Sequence, residues 1–407
     1  MIKAALISNT EYILIMKNLF LVIFFINIIS VQGQNPVIKR LDGSTISADS
    51  LTVAIENLMG KADVKGLAIS VFNAKKPVYM KTFGFSNIET KKKLELQTNL
   101  YGASFSKAVF AVLVMKLVEE GVITLDKPLQ DYLPKPIYEY DFKVWHEDFK
   151  ELKSYPEYKK ITARMCLDHT SGLPNWRWFE TDEKLKVKFE PGSRYSYSGE
   201  GLTYLQVVLE KITGKPLEEL AQDKIFKPLG MNYSSYRWQD KFEKDFAYGY
   251  DNDGKVQEKD KDNAPRGAGT LETTIEDYSK FITAILNKKI LKDKSYKEMF
   301  SPQIRIRSKN QFGPGALEDG NWNDKTELSY GLGWGIVKSP YGYGAFKEGQ
   351  GSGFQNYSIV FQDKGIAMLI MSNNYSTGKI IKYLLEIGIK DTYTPWEWDQ
   401  YIPYDKK

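Results

Sequence analysis

Three short stretches carry residues that could do covalent chemistry together: Ser104-Phe105-Ser106-Lys107, Tyr197-Ser198-Gly199 and Lys347-Glu348-Gly349. A serine hydroxyl is a poor nucleophile at neutral pH. It needs a base within hydrogen-bond reach and donors for the charge that develops on the attacked carbonyl oxygen. Residues three apart share one face of a helix, so Ser104 and Lys107 can touch without any tertiary coincidence. Tyr197 supplies a second proton-transfer group and Lys347 a further positive charge. The Ser-x-x-Lys spacing recurs at Ser376-Thr377-Gly378-Lys379, and context separates the two. Ser104 follows the small-residue turn Tyr101-Gly102-Ala103 and opens the apolar run Ala108 to Met115, which predicts a buried helix lasting to Glu120-Gly121. Free N–H groups and the helix dipole at such an N-terminus favour developing negative charge. Ser376 reads instead as the N-cap of a last amphipathic helix containing Ile380, Ile381, Leu384 and Leu385.

The elements that must position these residues follow from periodicity. Leu67 to Phe72 and Val78 to Phe83 predict a hairpin across Asn73-Ala74-Lys75-Lys76-Pro77, and Tyr357 to Phe361 with Ile366 to Met371 predict another across Gln362-Asp363-Lys364-Gly365. Between them lie the nucleophile helix and an amphipathic helix carrying Leu202, Leu205, Val208, Leu209 and Ile212, stopped by Gly214 and Pro216. The order predicts an α+β fold: an antiparallel sheet formed from both chain ends and flanked by helices, with a mostly helical subdomain inserted. The sheet subdomain is placed at about 50–100 and 330–395, the helical one at about 101–329, and residues 396–407 read as a tail. The reactive residues then fall in the cleft between subdomains.

With these residues in view, the chain resembles the serine β-lactamase-related hydrolases, which include class C β-lactamases, D-alanyl-D-alanine carboxypeptidases and some carboxylesterases. The resemblance covers roughly residues 50 to 390. Beyond the three site stretches it includes Leu125-Asp126-Lys127-Pro128-Leu129, Leu167-Asp168-His169-Thr170-Ser171-Gly172-Leu173-Pro174, Phe189-Glu190-Pro191-Gly192, Pro228-Leu229-Gly230-Met231 and Gly267-Ala268-Gly269-Thr270-Leu271. It implies a β-lactamase/transpeptidase-like fold and covalent acyl transfer. Ser104 is then the nucleophile, Lys107 or Tyr197 the base, and Tyr197 the proton donor to the leaving group. The backbone N–H groups of Ser104 and, by motif position, Gln350 hold the oxyanion. Gly199 and Gly349 line the substrate side, and His169 is a structural hydrogen-bonding residue.

Two departures from the family pattern bear on substrate. Gly199 stands where many members carry an asparagine that binds a substrate amide, which weakens the expectation of efficient β-lactam hydrolysis. Glu348 stands where a small hydroxyl residue follows the lysine; on a strand its side chain is expected to point away from that of Lys347. Peptidase, esterase and β-lactamase-like activity therefore stay open, with a catalytically weak protein that binds penicillin or cell-wall peptides as the alternative.

At 407 residues the chain is long enough for a large core, and its 42% hydrophobic content excludes a disordered protein. A formal charge of +5 without an arginine-rich stripe or a nucleic-acid motif argues against nucleic acid as partner. The expected partner is a small-molecule or peptide substrate; the resemblance allows cell-wall association and leaves oligomeric state open. His146 and His169 are far apart, and no cysteine cluster or phosphate loop occurs, so neither a metal nor another cofactor is expected. Cys166 is the single cysteine and reads as a buried small hydrophobe. Met16-Lys17, the apolar run Leu19 to Ile29 and Val31-Gln32-Gly33 read as a signal peptide over residues 1–33, hence an exported, periplasmic or extracellular protein, with an uncleaved anchor as the alternative. The aromatic-rich stretch from Pro136 to about Lys159 reads as packing rather than as a lid over the cleft.

Overall fold

Strand β3 (Gly66–Asn73), from the N-terminal part of the chain, lies antiparallel to β15 (Ile366–Ser372), from near its end, with Ser70 opposite Leu369. This pairing joins the two halves of a nine-stranded antiparallel sheet that runs from strands late in the chain, through β15 and β3, to two strands that follow β3; β1 (Val37–Lys39) with β2 (Thr45–Ser47), and β7 (Gly249–Tyr250) with β8 (Val256–Gln257), pair outside it. The other members are β4 (Lys76–Asn87), β5 (Lys92–Lys93), β10 (Ile304–Arg305), β11 (Ser329–Tyr330), β12 (Gly335–Ser339), β13 (Gly342–Gly351) and β14 (Phe354–Phe361). The coordinates are a computed structural model describing residues 37–406, apart from Lys143, Trp145, His146, Asp262 and Asn263. The expected signal peptide and His146 thus lie outside the described residues.

Side chains alternate across the sheet, as a pleated strand requires. Leu67, Ile69, Val71, Met368 and Ile370 face one apolar core; Ala68, Phe72, Leu369 and Met371 face the other. The first core is covered by α1 (Ala48–Ala62) and α5 (Ile381–Ile389), which pack together and so bring the chain ends to one side. The second core receives α2 (Phe105–Glu119), where twelve of fifteen residues are buried. A helix apolar on every side belongs inside a molecule. Around it lie α3 (Gly199–Thr213) and α4 (Ile275–Leu286). Ser198 caps α3 by accepting from Gly201 N at 2.8 Å, and Gly214 ends it at φ 68°.

The predicted hairpins are present, with local differences. The β3–β4 turn is tighter than the five residues expected, because Ala74 and Lys75 both adopt left-handed φ, 46° and 65°. Neither residue type announces that conformation. Ser376 is not the N-cap of the last helix: it sits within a 3-10 turn, Tyr375–Lys379, and Ile380 precedes α5. Strands β10 and β11 widen the sheet into the region assigned to helices. Within the stretch expected to be a tail, Trp398 is 1% exposed and its ring packs against Tyr195 and Phe346. The aromatic stretch after Pro136 does pack: Phe149 and Tyr158 are buried against Tyr204 of α3.

Candidate active site

The nucleophile turn is held from three directions. β6 (Leu100–Ala103) leads into Ser104 and pairs with β9 (Leu271–Thr273) through an irregular register at Tyr101/Ala103. Ala103 has φ 47°, a left-handed conformation costly for a residue with a side chain, so its surroundings must impose it. They do so visibly: Asn356 of β14 donates to the Tyr101 and Gly102 carbonyls at 3.0 and 3.3 Å, and Ser106 Oγ accepts from Leu271 N at 2.8 Å. β13 closes from the third side. A Cβ on Gly349 would meet Gly102 O at 2.6 Å and Ser104 N at 3.3 Å, so only glycine allows the strand this close to the backbone of the nucleophile.

Ser104 precedes the first residue of α2, and one turn on Lys107 places Nζ 3.0 Å from Ser104 Oγ. Lys107 is fully buried and donates to the Ala268 carbonyl at 2.6 Å. Burial, and next the repulsion of Lys347, hold its pKa well below the ordinary lysine value despite the opposing pull of Glu348. A neutral amine keeps a lone pair for the serine proton. Tyr197 lies with its ring 4.8 Å below Lys107 Nζ, and its hydroxyl accepts from Lys347 Nζ at 3.1 Å. Burial pushes the phenol up to about 12 against the opposing charge of Lys347, so Tyr197 stays protonated at neutral pH. His169 packs its ring 4.3 Å from that of Tyr197, and its Nδ1 accepts from Ser198 N at 3.2 Å. Burial first, then the two lysines, keep its imidazole neutral.

Glu348 departs from the expectation that it turns away from Lys347. The carboxylate Oε1 lies 2.8 Å from Lys347 Nζ and accepts from Gln311 Nε2 at 2.7 Å. The reason is topological. β12 pairs with β13 only from Gly342 to Phe346, so at Lys347 and Glu348 no β12 residue fills that edge and the two buried side chains have room to meet. Burial opposes both charges, but the mutual attraction outweighs it, holding Lys347 above and Glu348 below their ordinary pKa values.

The cleft over Ser104 has a volume of about 440 Å³ and is bordered by Tyr197, Glu348, Gly349 and Gln350. Ser104, Tyr197, Gly349 and Gln350 line this cleft, Lys107 and Lys347 touch Ser104 Oγ and Tyr197 Oη from beneath, and Gly199, expected on the substrate side, does not line it. Gly199 is not a gap: a Cβ there would meet the Trp176 ring at 2.6 Å and Asn175 O at 2.7 Å. Trp176 stacks on Trp178 with centroids 4.7 Å apart, and Asn175 lines the cleft with its Oδ1 buried and unpartnered among the described residues. Sequence reading missed Asn175 and Trp176, although they directly follow the Gly172-Leu173-Pro174 signature. It also missed Gln311, Asp399 and the Ala268 carbonyl. The decoy Ser376 is buried elsewhere, with its hydroxyl 3.5 Å from Asn252 O.

Comparison with known proteins gives the family and the fold. The Beta-lactamase family model matches residues 51–382, and the chain belongs to that family. Penicillin-binding protein 4* of Bacillus subtilis (strain 168) is 24% identical over 331 residues, covering 73% of this chain and 65% of its own length. Esterase EstB of Burkholderia gladioli is 26% identical over 223 residues, 48% of this chain and 53% of the relative. The chain thus spans about two thirds or less of these curated relatives. The crystal structure of D-alanine carboxypeptidase AmpC from Burkholderia cenocepacia superposes with a TM-score of 0.65 at 19% identity, covering 83% of this chain and 98% of that one, which establishes the β-lactamase/transpeptidase-type fold.

Proposed function

We propose that this protein is an exported serine hydrolase that forms a covalent acyl-enzyme on Ser104 from an amide or ester. The observation that carries the reading is the 3.0 Å approach of Ser104 Oγ to a buried Lys107 whose pKa is depressed. Lys107 Nζ takes the serine proton as Oγ bonds to the carbonyl carbon. The backbone N–H groups of Ser104 and Gln350 receive the oxyanion, and loss of one such donor typically costs about 100- to 1000-fold in rate. Tyr197, protonated and hydrogen-bonded to Lys347, delivers a proton to the departing nitrogen or oxygen as its bond to carbon breaks. Lys107 passes the proton it took to the Tyr197 phenolate; water then bonds to the acyl carbon, giving a proton to the neutral Lys107, and as the bond from carbon to Oγ breaks that proton returns to Ser104 and the acid leaves. The raised pKa of Tyr197 favours Lys107 over a tyrosinate as the base.

The family includes esterases as well as penicillin-binding proteins, and the Trp176 ring next to Gly199 favours simple amides or esters over β-lactams. Intact-mass analysis during exposure to a fluorophosphonate and, separately, to a penicillin tests the reading. A single fluorophosphonate adduct on Ser104 supports it. A stable penicillin adduct with no turnover of small esters would favour the binding-protein alternative, and no adduct with either would refute the acyl-enzyme.

A further inference from the structure

The side of the cleft next to Lys347 carries more acid than base. Glu348 Oε1 is taken by Lys347 and Gln311, but Glu348 Oε2 has no partner among the described residues. Asp399, from the C-terminal segment, also lines the cleft, and neither of its carboxyl oxygens has a partner among the described residues. Glu348 and Asp399 are only 6% and 7% exposed, so water does not replace the missing hydrogen bonds at low cost. The segment is built to hold Asp399 there. Trp398 is wedged between Tyr195 and Phe346, its Nε1 donates to Ser308 Oγ at 3.2 Å, and its carbonyl accepts from Gln311 N at 3.0 Å. Gln311 thereby ties the segment to Glu348.

The charged and titratable groups that act electrostatically on Asp399 are Glu348 and Lys347, and it acts in turn on the phenols of Tyr195, Tyr330, Tyr357 and Tyr401. Lys347 is the single cation among them, and Glu348 already balances it. We infer that Asp399 and Glu348 form a subsite for a primary ammonium group of the substrate, and that the site rejects a carboxylate in the same place. An ammonium would bring N–H donors to these buried, unpartnered oxygens and favour ionisation of Asp399, whose carboxyl is held well above the usual carboxylate range by burial and by the neighbouring Glu348. A carboxylate there would face two acidic side chains. The inference deepens the acyl-enzyme reading, on which it rests, by naming the class of substrate: amides or esters bearing a free amine near the scissile carbonyl.

Protection of Ser104 from fluorophosphonate labelling tests the subsite with three small ligands built on one alanine core: alaninamide, which carries the ammonium, and N-acetylalaninamide and N-acetylalanine, which do not. Alaninamide is expected to protect at concentrations roughly 30-fold or more below N-acetylalanine, the scale of one buried charge pair, and Asp399→Asn should bring the three towards parity. Protection by the carboxylate ligand equal to or better than the ammonium ligand, protection by none of them, or an undiminished ammonium preference in a folded Asp399→Asn protein would overturn it. If that variant does not fold, the ranking in the unsubstituted protein decides. If the unsubstituted protein is not labelled at all, the acyl-enzyme reading falls separately, and calorimetric titration with the same ligands reads the subsite.

Discussion

At the scale of single residues, the pKa of Lys107 is the quantity on which reactivity turns. Removing an ammonium from water disfavours its charged form, and a second lysine on the same cleft adds repulsion. Replacing Lys107 by arginine keeps a long cationic side chain but removes the capacity to lose a proton. Lys107→Arg should therefore lower acylation by ~100-fold or more, the usual contribution of a general base, as measured by the p-nitrophenol burst from p-nitrophenyl acetate. Tyr197→Phe should leave the fold intact, because the ring packing on His169 and Phe312 is retained. Its loss is of the proton relay, and acylation or deacylation should fall by a similar ~100-fold. Full turnover in that variant would reduce Tyr197 to a packing residue.

At the scale of elements, the site depends on how closely β13 approaches the start of α2. Gly349→Ala would press a methyl carbon to 2.6 Å from Gly102 O, and neither strand nor helix can yield cheaply. It should destabilise the protein by about 1 to 3 kcal/mol and lower labelling of Ser104, both measurable in one thermal and kinetic series. Gly199→Asn, which on the family pattern would supply a missing amide, meets the Trp176 ring instead. The single variant should lower the melting temperature without raising penicillin acylation. A rise in acylation would show that Trp176 moves aside readily. The nucleophile helix, both hairpins and the Ser104–Lys107 pairing were legible because each rests on local period or spacing, whereas Tyr197 and Lys347 were legible only through the resemblance to the family's ordered motifs. The meeting of Lys347 with Glu348 was not, since it depends on where β12 stops pairing, a tertiary fact. The Ala74-Lys75 turn was hidden for a different reason: context forces left-handed φ on residues that do not favour it.

At the scale of the whole molecule, the two chain ends complete the sheet, and the C-terminal segment completes the site. The stretch from residue 396 reads as a tail because periodicity ends before it, and the packing of Trp398 on Tyr195 and Phe346 is a tertiary contact that no local period shows. Trp398→Ala should cost about 3 kcal/mol or more, the scale for deleting a buried aromatic, and should weaken ligand protection of Ser104 by loosening Asp399; unchanged stability would refute the docking. Export is proposed from residues that lie outside those described, and N-terminal sequencing of secreted protein checks it, with cleavage expected after Gly33. The most direct test of the central claim is the rate of fluorophosphonate labelling at Ser104, located by peptide mass, as a function of pH. If Lys107 is the base, the rate should rise from acid and level off with an apparent pKa well below the ordinary lysine value of about 10.4, because protonated Lys107 cannot accept the serine proton. A rate that climbs without a plateau up to that value, or label carried on Ser376 instead, would contradict the account.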